Sequence, residues 1–102
     1  MTHCLRFFFE AGVDTPLWPE DMDSPYGYPC ELDRLPIGAA LREELAALSE
    51  WYQSSIDWEY PPGPSPWSDE ELRVFRQRAH AALDALRREL GEGWTVRDES
   101  LL

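Results

Sequence analysis

The segment from Ser68 to Gly91 constrains the fold of this chain more than any other. Ser68-Asp69-Glu70-Glu71 has the form of a capping box: Ser68 caps the start of a helix and Glu71 is placed to reach back to it. Trp67 and Leu72 stand where a hydrophobic staple puts its two members. Three acids in the first turn complement the positive end of the helix dipole. Leu72, Phe75, Ala79, Ala82, Leu83, Leu86 and Leu90 then recur at helical spacing, and Gly91 stands where a left-handed terminator belongs. A helix over 69–90 follows, roughly 33 Å long. A helix of that length with one apolar stripe must bury the stripe, so the rest of the chain must cover it.

A second amphipathic segment predicts another helix over 37–54. It opens near Pro36, since proline suits a first helical turn. Ile37, Leu41, Leu45, Leu48, Trp51, Tyr52 and Ile56 fall within a sector of about 140°. Glu43, Glu50 and Gln53 occupy the opposite side. Leu5-Arg6-Phe7-Phe8-Phe9 alternates like a strand, predicted over 4–10, with Leu5, Phe7 and Phe9 on one face. Gly12 supplies a turn into a possible edge strand over 13–18, weakened by Pro16. Residues 19–36, with four prolines and several acids, read as an ordered loop anchored by Trp18, Tyr26 and Tyr28. Residues 57–67 form a proline-rich connector of polyproline II character, with its flanking aromatics packed on the domain. Trp94-Thr95-Val96-Arg97 predicts a last strand over 94–97.

The expected fold is a single α+β domain spanning residues 1–102. Two antiparallel amphipathic helices pack on one face of a small two- or three-stranded sheet built from the N- and C-terminal strands. The strand over 4–10 is its natural centre, with residues 13–18 and 94–97 on opposite sides.

Charge is the second constraint. Twenty acids face nine basic residues, all arginine, for a net charge of −11. The first sixty residues carry 12 of the acids and three of the arginines. Phosphate binding needs a basic surface, so nucleic acid is not expected as a ligand, nor is an anionic membrane. A basic protein is the partner this balance would steer in. The same acidity also serves solubility, with no specific partner needed. Two cysteines are too few for a disulfide framework, and neither a signal peptide nor a membrane span is evident. A reducing cytoplasm with free thiols is the expected setting.

Chemistry-bearing constellations are sparse. His3, Cys4, Cys30 and His80 do not have the spacing of a compact zinc site, so no metal is expected. No nucleophile–base pair or phosphate loop is legible, so neither catalysis nor a cofactor is expected. Glu44 is the one carboxylate placed at an apolar boundary, between Trp51 and Ile37; it is either a functional acid or the partner of a second-helix arginine such as Arg78. Arg73, Arg76, His80 and Arg87 share one flank of the second helix within about 60°. That ridge could hold an anion, or it could receive the chain's own acids. The loop around Trp18, Glu20, Asp21, Asp23, Tyr26 and Tyr28 interleaves charge with aromatics, in the form of a charged rim around hot-spot anchors.

The pattern of Leu17-Trp18, Tyr26-Gly27-Tyr28-Pro29, Leu35-Pro36, Trp51-Tyr52, and Asp57-Trp58 through Pro66-Trp67 resembles that of a group of small actinobacterial proteins. The resemblance carries no activity with it. From the residues themselves the expected function is an acidic interaction module. It engages a basic protein through the 18–28 loop, as immunity proteins, antitoxins and inhibitors do. Two alternatives stay open: a small-molecule binding protein or minor enzyme with an aromatic-lined cleft, and a soluble domain with no charge-specific partner.

Overall fold

The computed structural model describes residues 3–20, 23–60 and 63–100. Its elements run β1 His3–Phe7, β2 Leu17–Pro19, a short 3₁₀ turn Leu32–Arg34, α1 Ala39–Gln53, α2 Asp69–Leu90 and β3 Trp94–Asp98. The strands form a mixed sheet of order β2-β1-β3. β2 lies antiparallel to β1, and β3 lies parallel to it. A parallel neighbour requires a long crossover, and the two helices provide it.

Register decides what the sheet buries. Leu5 pairs with Pro19 on one side and Val96 on the other, while Phe7 pairs with Leu17. Side chains alternate along a strand, so these residues share the face covered by the helices. Leu5, Phe7, Leu17 and Val96 join Leu41, Leu45, Leu48, Phe75, Leu83 and Leu86 in one core. Arg6, Trp18 and Arg97 pair with one another on the opposite, uncovered face.

The helices are antiparallel. Gly38 N, before α1, donates to Glu89 Oε1 near the end of α2 at 2.7 Å. At the other end, Trp67 Nε1 donates to Ser54 Oγ at 2.8 Å. α2 starts as its sequence foretells: Ser68 Oγ accepts from Glu71 N at 3.1 Å, and Gly91 closes the helix at φ +79°. Trp67 packs on Phe75 and Trp51, with ring centroids 4.9 and 5.5 Å away, and lines one cleft with Leu72, which is 36% exposed.

Several boundaries differ from the sequence reading for physical reasons. β1 ends at Phe7 rather than near residue 10. Phe8 N still donates to Pro16 O, but Pro16 has no N–H to return. The edge strand is correspondingly cut to Leu17–Pro19. α1 begins at Ala39 because Gly38 takes the cap position; Ile37 is buried ahead of the helix. Of the connector aromatics Trp67 packs on the core as expected, whereas Trp58 is 57% exposed and Tyr60 65%. Of the connector, residues 61 and 62 lie outside the described residues.

Candidate partner-binding surface

The residues named from sequence separate into two groups around Gly27, whose φ of +89° turns the loop sharply between Tyr26 and Tyr28. The loop is fixed by Cys30 N donating to Leu17 O at 2.8 Å and Glu31 N to Tyr26 O at 2.7 Å. Trp18, on the uncovered sheet face, stacks on Phe8 with centroids 5.0 Å apart and meets the Tyr28 edge at 5.6 Å. Arg6 lies over the Phe8 ring and donates to Tyr28 Oη at 3.3 Å. Glu20, just past β2, pairs with Arg97 of β3. Trp18, Glu20 and Tyr28 therefore come together on and beside one open face. Tyr26 goes the other way, against His3 and Trp94 at 5.6 and 5.2 Å. Asp23 and Glu20 join His3, Cys4, Tyr26 and Trp94 around a depression of about 530 Å³, so Glu20 borders both groups. Asp21 lies outside the described residues.

Tyr28 also borders a second surface that the sequence did not disclose. A two-lobed groove runs along the flank of α1 between that helix and the preceding loops. The first lobe, about 690 Å³, lies between the 27–33 segment and α1, and carries Asp14, Glu31, Asp33, Glu43 and one cation, Arg42. The second, about 460 Å³, shares Asp14 and Ala46 with the first and ends at Trp58. Its two carboxylates are Asp14 and Glu50, and among the described residues no cation lines it. Glu31 pairs with Arg34. Asp14, Asp33, Glu43 and Glu50 form no ion pair among the described residues.

Gln53 builds the wall of this groove. Its Nε2 donates to Glu10 O at 3.2 Å and Val13 O at 3.1 Å, and its Oε1 accepts from Gly12 N at 2.7 Å. One side chain thus clasps the turn between β1 and β2 to the end of α1. Gly12 adopts φ +79° in that turn, a conformation that favours glycine. The periodicity of α1 placed Glu50 and Gln53 on its polar side. What they would face, in a turn some forty residues earlier in the chain (|i−j| of 40 to 43), has no sequence signal.

The secondary candidates resolve into internal contacts. Glu44 pairs with Arg78, whose guanidinium lies 5.3 Å from the Trp51 ring centre. Arg73 pairs with Glu70, and Arg87 donates to Val96 O at 2.7 Å. Asp98 is held below the usual carboxylate value against its desolvation, chiefly by hydrogen bonds from the Ser100 hydroxyl and N–H and less by the nearby His80 and Arg87. Arg76 is exposed on α2. Two of the four members of this flank, Arg73 and Arg87, therefore meet the chain's own acid and carbonyl.

Neither thiol is a ready nucleophile. Burial pushes Cys30 up to about 11. Cys4 is raised by desolvation and by the nearby Glu20 carboxylate. An aromatic cleft of about 360 Å³ lies at the start of α2 between Tyr52, Trp67, Leu72 and Phe75, with Asp69 at its rim. Among the described residues no group of three or more histidines, cysteines and acids could hold a metal ion, and no helix is long and apolar enough to cross a membrane.

An uncovered aromatic sheet face and an acidic groove, joined at Tyr28, give the molecule surfaces suited to another protein. No curated protein sequence matches the chain. A family model described as Serratia CdiI immunity protein-like does, over residues 5–98 from the first buried leucine of β1 to the last residue of β3, and the chain belongs to that family.

Proposed function

We propose that this protein is an immunity-type inhibitor that binds a toxin protein through a basic surface on the toxin and blocks it without catalysis. Membership of an immunity protein-like family carries this reading. The net charge of −11, with 12 acids against three arginines in the first sixty residues, supports the basic character of the partner. The binding surface is the acidic side of the molecule. It comprises Trp18, Glu20, Asp21, Asp23, Tyr26 and Tyr28 with the groove along α1. Exposed carboxylates there speed encounter, and the aromatics provide anchor area. Nucleic acid and membrane are not partners, and the protein acts in the cytoplasm with both thiols free.

Affinity capture from the native host, at low and moderate salt, identifies the partner. Its expression alone should arrest growth, and co-expression of this chain should restore it. Association should slow as salt rises, because exposed charges more than about 10 Å apart are screened at 0.1 M. Replacing Glu20, Asp21 and Asp23 with Gln or Asn should slow association while leaving the fold intact. Failure of co-expression to relieve toxicity refutes the immunity role. Binding indifferent to salt and to those substitutions refutes the basic partner.

The aromatic cleft at the start of α2 supports a second reading, a small-molecule binding protein. Its volume lies near the lower bound for ligand sites, about 300 Å³. Retention of a small molecule through purification would favour that reading.

A further inference from the structure

An open sheet has two edges, and each presents backbone groups that another strand can take. The β2 edge is closed by its own chain. Leu17 and Pro19 face outward there. Cys30 N donates to Leu17 O at 2.8 Å, and Leu17 N donates to Thr15 Oγ1 at 3.3 Å. Arg6 Nη2 reaches Pro19 O at 3.4 Å, and proline has no N–H to offer.

β3 forms the other edge. His3 N donates to Gly93 O, and Glu99 N donates to Phe7 O. In a parallel ladder these two bonds set the phase. Thr95 and Arg97 turn their N–H and C=O towards β1, while Trp94, Val96 and Asp98 turn theirs outward. Trp94 N is taken up by Gly91 O at 3.3 Å. At the middle of the strand, Val96 O accepts from Arg87 Nη2 at 2.7 Å and from Arg87 Nε at 3.2 Å. A guanidinium that reaches an outward carbonyl from α2 lies across the edge. Thr95, Arg97 and Asp98 around it are exposed.

We propose that Arg87 guards this edge, and that without its guanidinium two copies of the chain join there through β3. The strand is self-complementary. Antiparallel pairing centred on Val96 sets Val96 against Val96, Thr95 against Arg97 and Trp94 against Asp98, so no like charges stand directly opposite. Its central bonds run from each Val96 N to the other Val96 O, the atom that Arg87 occupies. With Arg87 in place both acceptors are taken, and two guanidinium groups would meet across the twofold axis. The charge of −11 on each chain also opposes the pairing, so salt should favour it.

Arg87→Met removes the donors and keeps the apolar stem. The full chain and its variants are compared by sedimentation at low and high salt, up to millimolar concentration. The parent should stay monomeric. Arg87→Met should form a discrete dimer, at least about tenfold tighter than any association of the parent, because each freed carbonyl gains a bond. High salt should tighten it. Arg87→Lys, which keeps a charged donor, should fall between, and it carries the same comparison if the methionine variant does not fold. In the dimer the Val96 amide should exchange with solvent more slowly than in the parent. Asp98 N points outward, so Asp98→Pro spares the ladder between β1 and β3 and should restore the monomer in the Arg87→Met background. The guard is overturned by Arg87 variants that stay monomeric at both salt concentrations, by association that Asp98→Pro does not reverse, or by a dimer without added protection at Val96.

Discussion

Replacing Gln53 with alanine should destabilise the protein by about 2 kcal/mol. Three hydrogen bonds from this side chain cross between α1 and the turn after β1: to Glu10 O, to Val13 O, and from Gly12 N. At about 1 kcal/mol each their sum is near 3 kcal/mol, but water can reach the freed Glu10 and Gly12 groups, which moderates the loss. For a chain of this size about 2 kcal/mol lowers Tm by roughly 10 °C. Urea unfolding followed by tryptophan fluorescence measures it, as a lower midpoint with an unchanged slope. Gln53→Glu separates hydrogen bonding from mere packing. A carboxylate still accepts from Gly12 N, but it cannot donate to the two carbonyls, and it sits near Glu10. Its folded pKa is therefore raised above the unfolded value of about 4.3. The folded state then binds the extra proton more tightly, so the variant loses stability as pH rises through the folded value. Gln53→Glu should match or exceed Gln53→Ala in stability near pH 5 and fall below it at pH 7.5. A Gln53→Ala cost under about 0.5 kcal/mol, or identical behaviour of the two variants at both pH values, would refute the clasp.

Two further outcomes follow from the core. The Cys30 thiol is raised from 9.0 to about 11 by burial, so its contribution is complete below pH 9 and is lost as pH climbs towards 11. Somewhat under about 2 kcal/mol should disappear between denaturation at pH 8 and at pH 10.5. Cys30→Ala should flatten the slope without abolishing it, because burial raises the Tyr52 phenol too. Phe75 is fully buried and meets Phe9, Trp51, Tyr52 and Trp67, so Phe75→Ala should cost about 3–5 kcal/mol and erase much of the near-ultraviolet circular dichroism. Phe75→Leu, which leaves a smaller cavity, should cost clearly less in the same unfolding assay.

Elements whose signals are local were legible in the sequence. Ser68 and Gly91 bracket α2, and both do in space what their positions imply. The alternation of Leu5 and Phe7 named the buried face of β1, and the three-strand order follows from placing that strand at the centre. Signals that depend on distant residues were not legible. Trp67 packs on Trp51 of α1 and Phe75 of α2, and the contact with Trp51 exists only after the two helices meet. Trp58 reads as a packing residue among prolines, yet the bond from its indole to Gln53 O holds it at the surface. Tyr26 and Tyr28 read as one anchor set, but the turn at Gly27 sends them to different faces. The acidic groove needs Asp14, Glu43 and Glu50 side by side, and the Gln53 clasp on Gly12 and Val13 helps hold the turn that carries Asp14 against α1.

The distribution of ion pairs bears on how charge and fold relate in this molecule. Glu20, Glu31, Glu44 and Glu70 each pair with an arginine, at sites where both side chains remain between about one third and two thirds exposed. Such pairs contribute at most about 1 kcal/mol each and weaken with salt. Among the described residues the buried side chains that hold the helices to the sheet are apolar apart from the Cys30 thiol and the hydroxyls of Thr15 and Ser49, and none is charged. Stability therefore rests on burial, while the excess of eleven negative charges lies outside it. Screening that excess relieves self-repulsion in the folded state rather than removing support from it. Salt should slow capture of a basic toxin without unfolding the protein that captures it. Glu20, Asp21 and Asp23 can then be neutralised to test recognition. A slower association in those variants reports on the encounter with the partner when their urea midpoints match that of the parent chain, the control that the Glu20–Arg97 pair calls for.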